Sequence, residues 1–126
     1  MNSVLDQHFT KVEIESIELM IAAEPRAIAQ HLREQLEEVV AVETKASGVG
    51  FFKDLVLSQK AIPLPGKRSY PLRGTDAVFG ENEEHCAMYV LFLEGGLVSC
   101  LESSTPFEEW VDVTEPYKLS VTPVLG

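Results

Sequence analysis

Between Asp76 and Glu115 the chain has no lysine and no arginine, although ten aspartates and glutamates fall in that stretch. The preceding stretch is poor in the opposite sign. From Lys45 to Arg73 six basic residues (Lys45, Lys53, Lys60, Lys67, Arg68 and Arg73) meet a single acid, Asp54. Clustered charge biases which partners approach and says little about fold. No apolar run nears the roughly 18 residues that span a bilayer. Residues 1–11 lack the basic-then-apolar order of a secretory signal. A cytoplasmic location away from the membrane is the resulting expectation.

Cysteine is also scarce, with only Cys86 and Cys100 present. At 126 residues the chain is long enough to build one hydrophobic core without disulfide or metal staples. A formal charge of −10 argues against general nucleic-acid binding, which needs a basic footprint. It favours solubility and leaves room for a basic protein partner.

Several catalytic signatures are missing: G-x-S-x-G, H-E-x-x-H, a Walker loop and C-x-x-C. Gly48-Val49-Gly50 lacks the third glycine of a dinucleotide loop and opens no helix, so a bulge or close packing beside Phe51 and Phe52 explains it better. Glu83 and His85 share a strand face at i, i+2, but two mixed ligands without a further partner do not make a metal site. His85 and Cys86 point to opposite faces of a regular strand and cannot act as a dyad. The sequence implies no metal and no cofactor.

Periodicity gives the architecture. Thr10 and Glu13 have capping-box spacing, and Phe9 and Ile14 occupy the positions of a hydrophobic staple. A helix over Lys11–Ala23 follows, with Ile14, Ile17 and Ile21 on one face. Val12–Glu15 also alternates as a strand would. Pro25 suits the first turn of a second helix, in which Ile28, Leu32, Leu36 and Val39 form a buried stripe. The two make an αα-hairpin across Ala22–Glu24. Strands are expected at Val40–Lys45, Phe51–Leu57, Asp76–Phe79 and Tyr117–Thr122, with a proline-rich loop over Gln59–Gly74.

The clearest element is a hairpin around Gly95-Gly96, which supplies the positive φ of a tight turn. A two-residue turn sets Leu93 opposite Val98, Leu91 opposite Cys100 and Val90 opposite Leu101. Both hairpin faces are then mostly apolar and call for cover on each side. In that register Cys86 lies opposite Thr105 and faces away from Cys100, so no disulfide is expected. The fold class is α+β: an N-terminal helical hairpin (about residues 11–38) on a mainly antiparallel sheet (about 39–122) in a single domain.

Gly48-Val49-Gly50-Phe51-Phe52, the hairpin Tyr89–Gly96, and Leu101-Glu102 ahead of Trp110 together resemble a family of small uncharacterised bacterial α+β proteins. Those proteins have two N-terminal helices, a G-x-G-F-F segment and a hairpin ending in Leu-Glu. The resemblance spans roughly residues 10–120 and implies the helix-then-sheet fold. It transfers no catalytic residue, and Ser103-Ser104 stands where relatives carry a Gly-aromatic pair.

Candidate functional residues follow from chemistry. Trp110 and Phe107, set among Glu108, Glu109 and Asp112, form an apolar anchor inside an acidic loop; Trp110 can equally tuck back over the sheet. Lys67-Arg68 at a loop tip suits a carboxylate or phosphate, or simply a solvated turn. Glu102, placed on the Tyr89-Leu91-Leu93 face, would have a raised pKa if buried, or reaches solvent at the strand end. The leading expectation is a protein-binding module, immunity-like or regulatory, whose acidic surface meets a basic partner. The others are a small-molecule enzyme with Glu102 as acid or base, and a homodimer that buries the spare hairpin face.

Overall fold

The computed structural model describes residues 2–122. Three helices come first: α1 (Ser3–His8), α2 (Lys11–Ala22) and α3 (Arg26–Glu37). The capping box forms as its spacing predicts. Thr10 accepts from the Glu13 amide, and the Glu13 carboxylate accepts from the Thr10 amide at 2.8 Å. Helix α1 has six residues, too few to show a period. Asn2 makes it possible, since its Oδ1 caps the Val4 amide while its Nδ2 donates to the carbonyls of Leu36, Glu37 and Val39.

Seven strands follow: β1 (Val39–Ala46), β2 (Gly50–Leu57), β3 (Tyr70–Pro71), β4 (Thr75–Phe79), β5 (His85–Glu94), β6 (Leu97–Ser104) and β7 (Tyr117–Val121). All pairings are antiparallel, in the order β1-β2-β6-β5-β4-β7, with β3 also against β5. The expected α+β fold is present, with one helix and one short strand more than periodicity gave. Close approach explains Gly50: a Cβ there would fall 1.8 Å from the Ser103 carbonyl oxygen.

The Gly95-Gly96 turn has both φ angles positive, 59° and 82°, and Leu93 pairs with Val98 as expected. One residue later the register departs. Ser99 is an extra residue on β6, so Phe92 meets Cys100, Leu91 meets Leu101 and Val90 meets Glu102. A bulge puts two residues against one and reverses which face the rest of the strand presents. Leu101 is thereby buried with Leu91, whereas Glu102 turns to the other face.

Helices cover one face only. Ala77 and Phe79 of β4, Tyr89, Leu91 and Leu93 of β5, and Val98 and Leu101 of β6 form the core with Ile17, Met20, Leu32 and Leu36 of the helices. Burial of a large aliphatic side chain there contributes roughly 1.5–3 kcal/mol. The opposite face is not covered. Val78, Met88, Val90 and Phe92 are half-buried, while Phe52 and Val56 are exposed. Within one chain the described residues thus bury one face fully and leave the other, for which loops, a curled sheet or a second subunit are the expected cover, half-open. Cys86 and Cys100 are free and, after the bulge, lie on this same open face. They stand about six residues apart along β5, roughly 20 Å, which still rules out a bridge. No helix among the described residues is long and apolar enough to cross a membrane.

Candidate functional site

The charged loops lie at opposite ends of the central hairpin: the basic one at the turn, beside exposed Glu94, and the acidic ones at the other end. Strand β5 begins at His85 and ends at Glu94, so about 30 Å of extended chain separates them. At the turn end the proline-rich loop is tied down by backbone bonds: Leu64 N–H donates to the Gly96 carbonyl and Gly96 N–H to that of Arg68. Lys67 and Arg68 are exposed there, with the Arg68 guanidinium 6.0 Å from the Tyr70 ring. Neither forms an ion pair among the described residues.

At the other end, two acidic loops converge. Glu84, His85 and Cys86 line one hollow with Phe107, Glu108 and Glu109. Phe107 is 53% exposed and Val111 40% exposed, so this rim shows apolar side chains among its carboxylates. Glu83 is bound to Lys118 and Glu115 to Lys11, while Glu81, Glu108 and Glu109 have no cationic partner among the described residues. Backbone hydrogen bonds hold the Glu84 carboxyl below its ordinary range. His85 stacks on Phe79 with centroids 5.1 Å apart and lies 3.6 Å from Glu84. The basic loop thus does not neutralise the rim, and Lys67 and Arg68 do not join Phe107 and Trp110 in one site.

Trp110 turns inward from the rim. It is half-buried and packs edge-on against Phe51, with centroids 5.8 Å apart and planes at 86°. Its indole N–H donates to Asp112 Oδ1 at 2.8 Å. Of the two readings for Trp110, the inward one is realised.

Beneath it lies a pocket of about 400 Å³ bounded by Glu13, Phe51, Lys53, Tyr89, Trp110 and Asp112. Lys53 pairs with Thr44 and Leu101, so it points to the core face. Its ammonium sits 2.6 Å from Glu13 Oε1, donates to the His8 carbonyl at 2.7 Å and lies 5.1 Å from the centre of the Phe9 ring. The same carboxylate accepts from the Thr10 hydroxyl at 3.1 Å and, more loosely, from Ser103 Oγ at 3.4 Å. A capping glutamate has thus become half of a buried ion pair. Tyr89 is 1% exposed, and its hydroxyl makes no hydrogen bond to a described residue. Burial, then the charges of Glu13, Tyr117 and Asp112, raises its pKa far above the ordinary phenol range and keeps it neutral.

The chain matches no family model, no curated protein and no solved structure. Geometry alone therefore ranks the sites.

Glu102 fares poorly as a catalytic acid. The bulge at Ser99 sets it on the open face between Phe52 and Val90, rather than beside Tyr89. Neither cross-strand neighbour can give or take a proton. A larger groove, about 680 Å³, runs between α2, α3 and Leu119. Its charged residues Glu18, Arg33 and Glu37 are exposed, and half-buried Glu15 already accepts from the Tyr117 hydroxyl at 2.9 Å, so it offers less chemistry than the smaller pocket. Sequence reasoning missed Glu13, Lys53 and Tyr89 as a group. The one available signal was a lysine in phase with Phe51 and Leu55, on what became the core face of β2.

Proposed function

We propose that this chain is a cytoplasmic protein-binding module, immunity-like or regulatory, that docks a basic partner against its acidic rim. One observation carries the reading: the loops bearing Glu84 and Phe107–Glu109 meet at a single end, about 30 Å from Lys67 and Arg68. Separated in this way, the carboxylates present one sign to an approaching surface and reject acidic competitors. Phe107 and Val111 supply the apolar contact that charge alone does not. Trp110 supports the loop from below, and Asp112 holds its indole.

The test is affinity capture from the native host with the wild type and with Glu84, Glu108 and Glu109 changed together to Gln. A basic protein should be retained by the wild type, lost from the triple variant and weakened by added salt. Retention equal on both, at every salt concentration, overturns the reading.

A second reading rests on the open face, where Phe52 and Val56 are 36% and 41% exposed beside half-buried Val90 and Phe92. A homodimer would bury that face. Light scattering at high protein concentration decides it, because a monomer there leaves no basis for it.

A further inference from the structure

The pocket beneath Trp110 has chemistry that the rim does not use. Tyr89 is almost wholly buried, and its hydroxyl makes no hydrogen bond to a described residue. Unlike Ser16 Oγ and Thr75 Oγ1, which are sealed from solvent without a partner, it stays accessible, and Tyr89 lines this pocket. An unpartnered hydroxyl at the wall of a cavity, on an otherwise buried side chain, marks a place for a ligand atom. Its volume, about 400 Å³, sits low in the range of small-molecule sites.

The sign of the ligand follows from the charges already satisfied. Lys53 is committed to Glu13 at 2.6 Å and to the His8 carbonyl at 2.7 Å. Asp112, by contrast, meets no cation among the described residues. It is exposed, and its Oδ1 accepts only from the neutral indole of Trp110, so no described cation offsets its charge. An anion would face Asp112 with no free cation to hold it. A cation would find the carboxylate, the lone pairs of the Tyr89 hydroxyl and the rings of Phe51 and Trp110, which attract positive charge.

We propose that this pocket binds an alkylammonium group, with its N–H bonds directed to Asp112 and the Tyr89 hydroxyl and its alkyl chain against Phe51 and Trp110. The group belongs either to a free primary amine or to a lysine side chain of a partner. Trp110 and Asp112 also support the rim loop, but the site does not depend on the rim's partner, since its ligand and its readout are different.

Trp110 is the only tryptophan in the chain, so its emission reports on the pocket without a label. Butylammonium should change that emission saturably at constant ionic strength, about tenfold more tightly than neutral butanol, and butyrate should not bind. Tyr89→Phe removes a hydroxyl that makes no bond in the free protein, so it should fold normally and still weaken butylammonium several-fold. Asp112→Asn keeps an acceptor for the indole while removing the charge, and should weaken it about tenfold. Nα-acetyl-lysine amide distinguishes the sources. Binding equal to butylammonium assigns the group to a protein side chain, and its rejection assigns it to a free amine; either result upholds the site. No saturable response to butylammonium, an equal response to butanol, or unchanged affinity in both variants overturns it.

Discussion

Glu13 and Lys53, forty positions apart in sequence, meet at 2.6 Å with both side chains largely out of water. The contact joins the first turn of α2 to the middle of β2, and through the His8 carbonyl it also fixes the end of α1. Removing one partner of a buried pair leaves a bare charge, which costs more than the pair itself contributes. Lys53→Met should therefore destabilise the protein by about 3–5 kcal/mol. Glu13→Gln with Lys53→Met should recover part of that loss, because glutamine still serves the capping box. Urea denaturation of the two variants measures both quantities.

Gln35 should be nearly as sensitive. It is 1% exposed, donates to the carbonyls of Ile62 and Gly96 at 2.9 Å, and accepts from the Val98 amide at 2.8 Å. These bonds pin the Gly-Gly turn and the proline-rich loop to α3. Gln35→Leu has similar volume but satisfies none of them, and should cost about 2–4 kcal/mol, read from the shift in denaturation midpoint.

Cys100 makes a prediction about pH. Burial, followed by its hydrogen bond to Asp54, raises the thiol to about 12. An unfolded thiol ionises near 8.5. Between those values the unfolded chain has lost a proton that the folded one keeps, so stability falls as pH rises. Below that window Cys100 contributes no slope. Cys86 and Tyr89 are raised as well, both chiefly by burial, and add slopes of the same sign. Comparison with Cys100→Ala isolates the one thiol: the variant should lose less stability between about pH 8.5 and 12 than the wild type. Equal losses would contradict the assignment.

Phe107 and Trp110 should separate cleanly. Phe107 is 53% exposed, so Phe107→Ser should change stability by no more than about 0.5 kcal/mol while weakening capture of the rim's partner. Trp110 covers Phe51, and Trp110→Ala should cost about 1–3 kcal/mol in thermal or urea unfolding.

Local patterns in the sequence were enough for the capping box at Thr10, the helix pair, the Gly95-Gly96 turn and the Leu93–Val98 pairing. Each depends on residues within a few positions of one another. The bulge at Ser99 had no such marker, because no glycine or proline announces it. That one residue moved Glu102 from the core face to the open face and brought both thiols to the same side. The pocket was illegible for another reason: Glu13, Lys53, Tyr89 and Trp110 come from four separate elements, and only the folded sheet brings them together. The charge split was legible as sequence, but whether its halves cancel depended on which end of β5 each loop occupies.

Their placement at opposite ends means that these two loops contribute a dipole component along β5. An external field exerts a torque on a dipole even where it exerts little net pull. That component would favour turning the Phe107 end towards a positive surface and the Arg68 end towards a negative one. Reversing Lys67 and Arg68 to glutamate would shrink that dipole without altering a single residue of the rim.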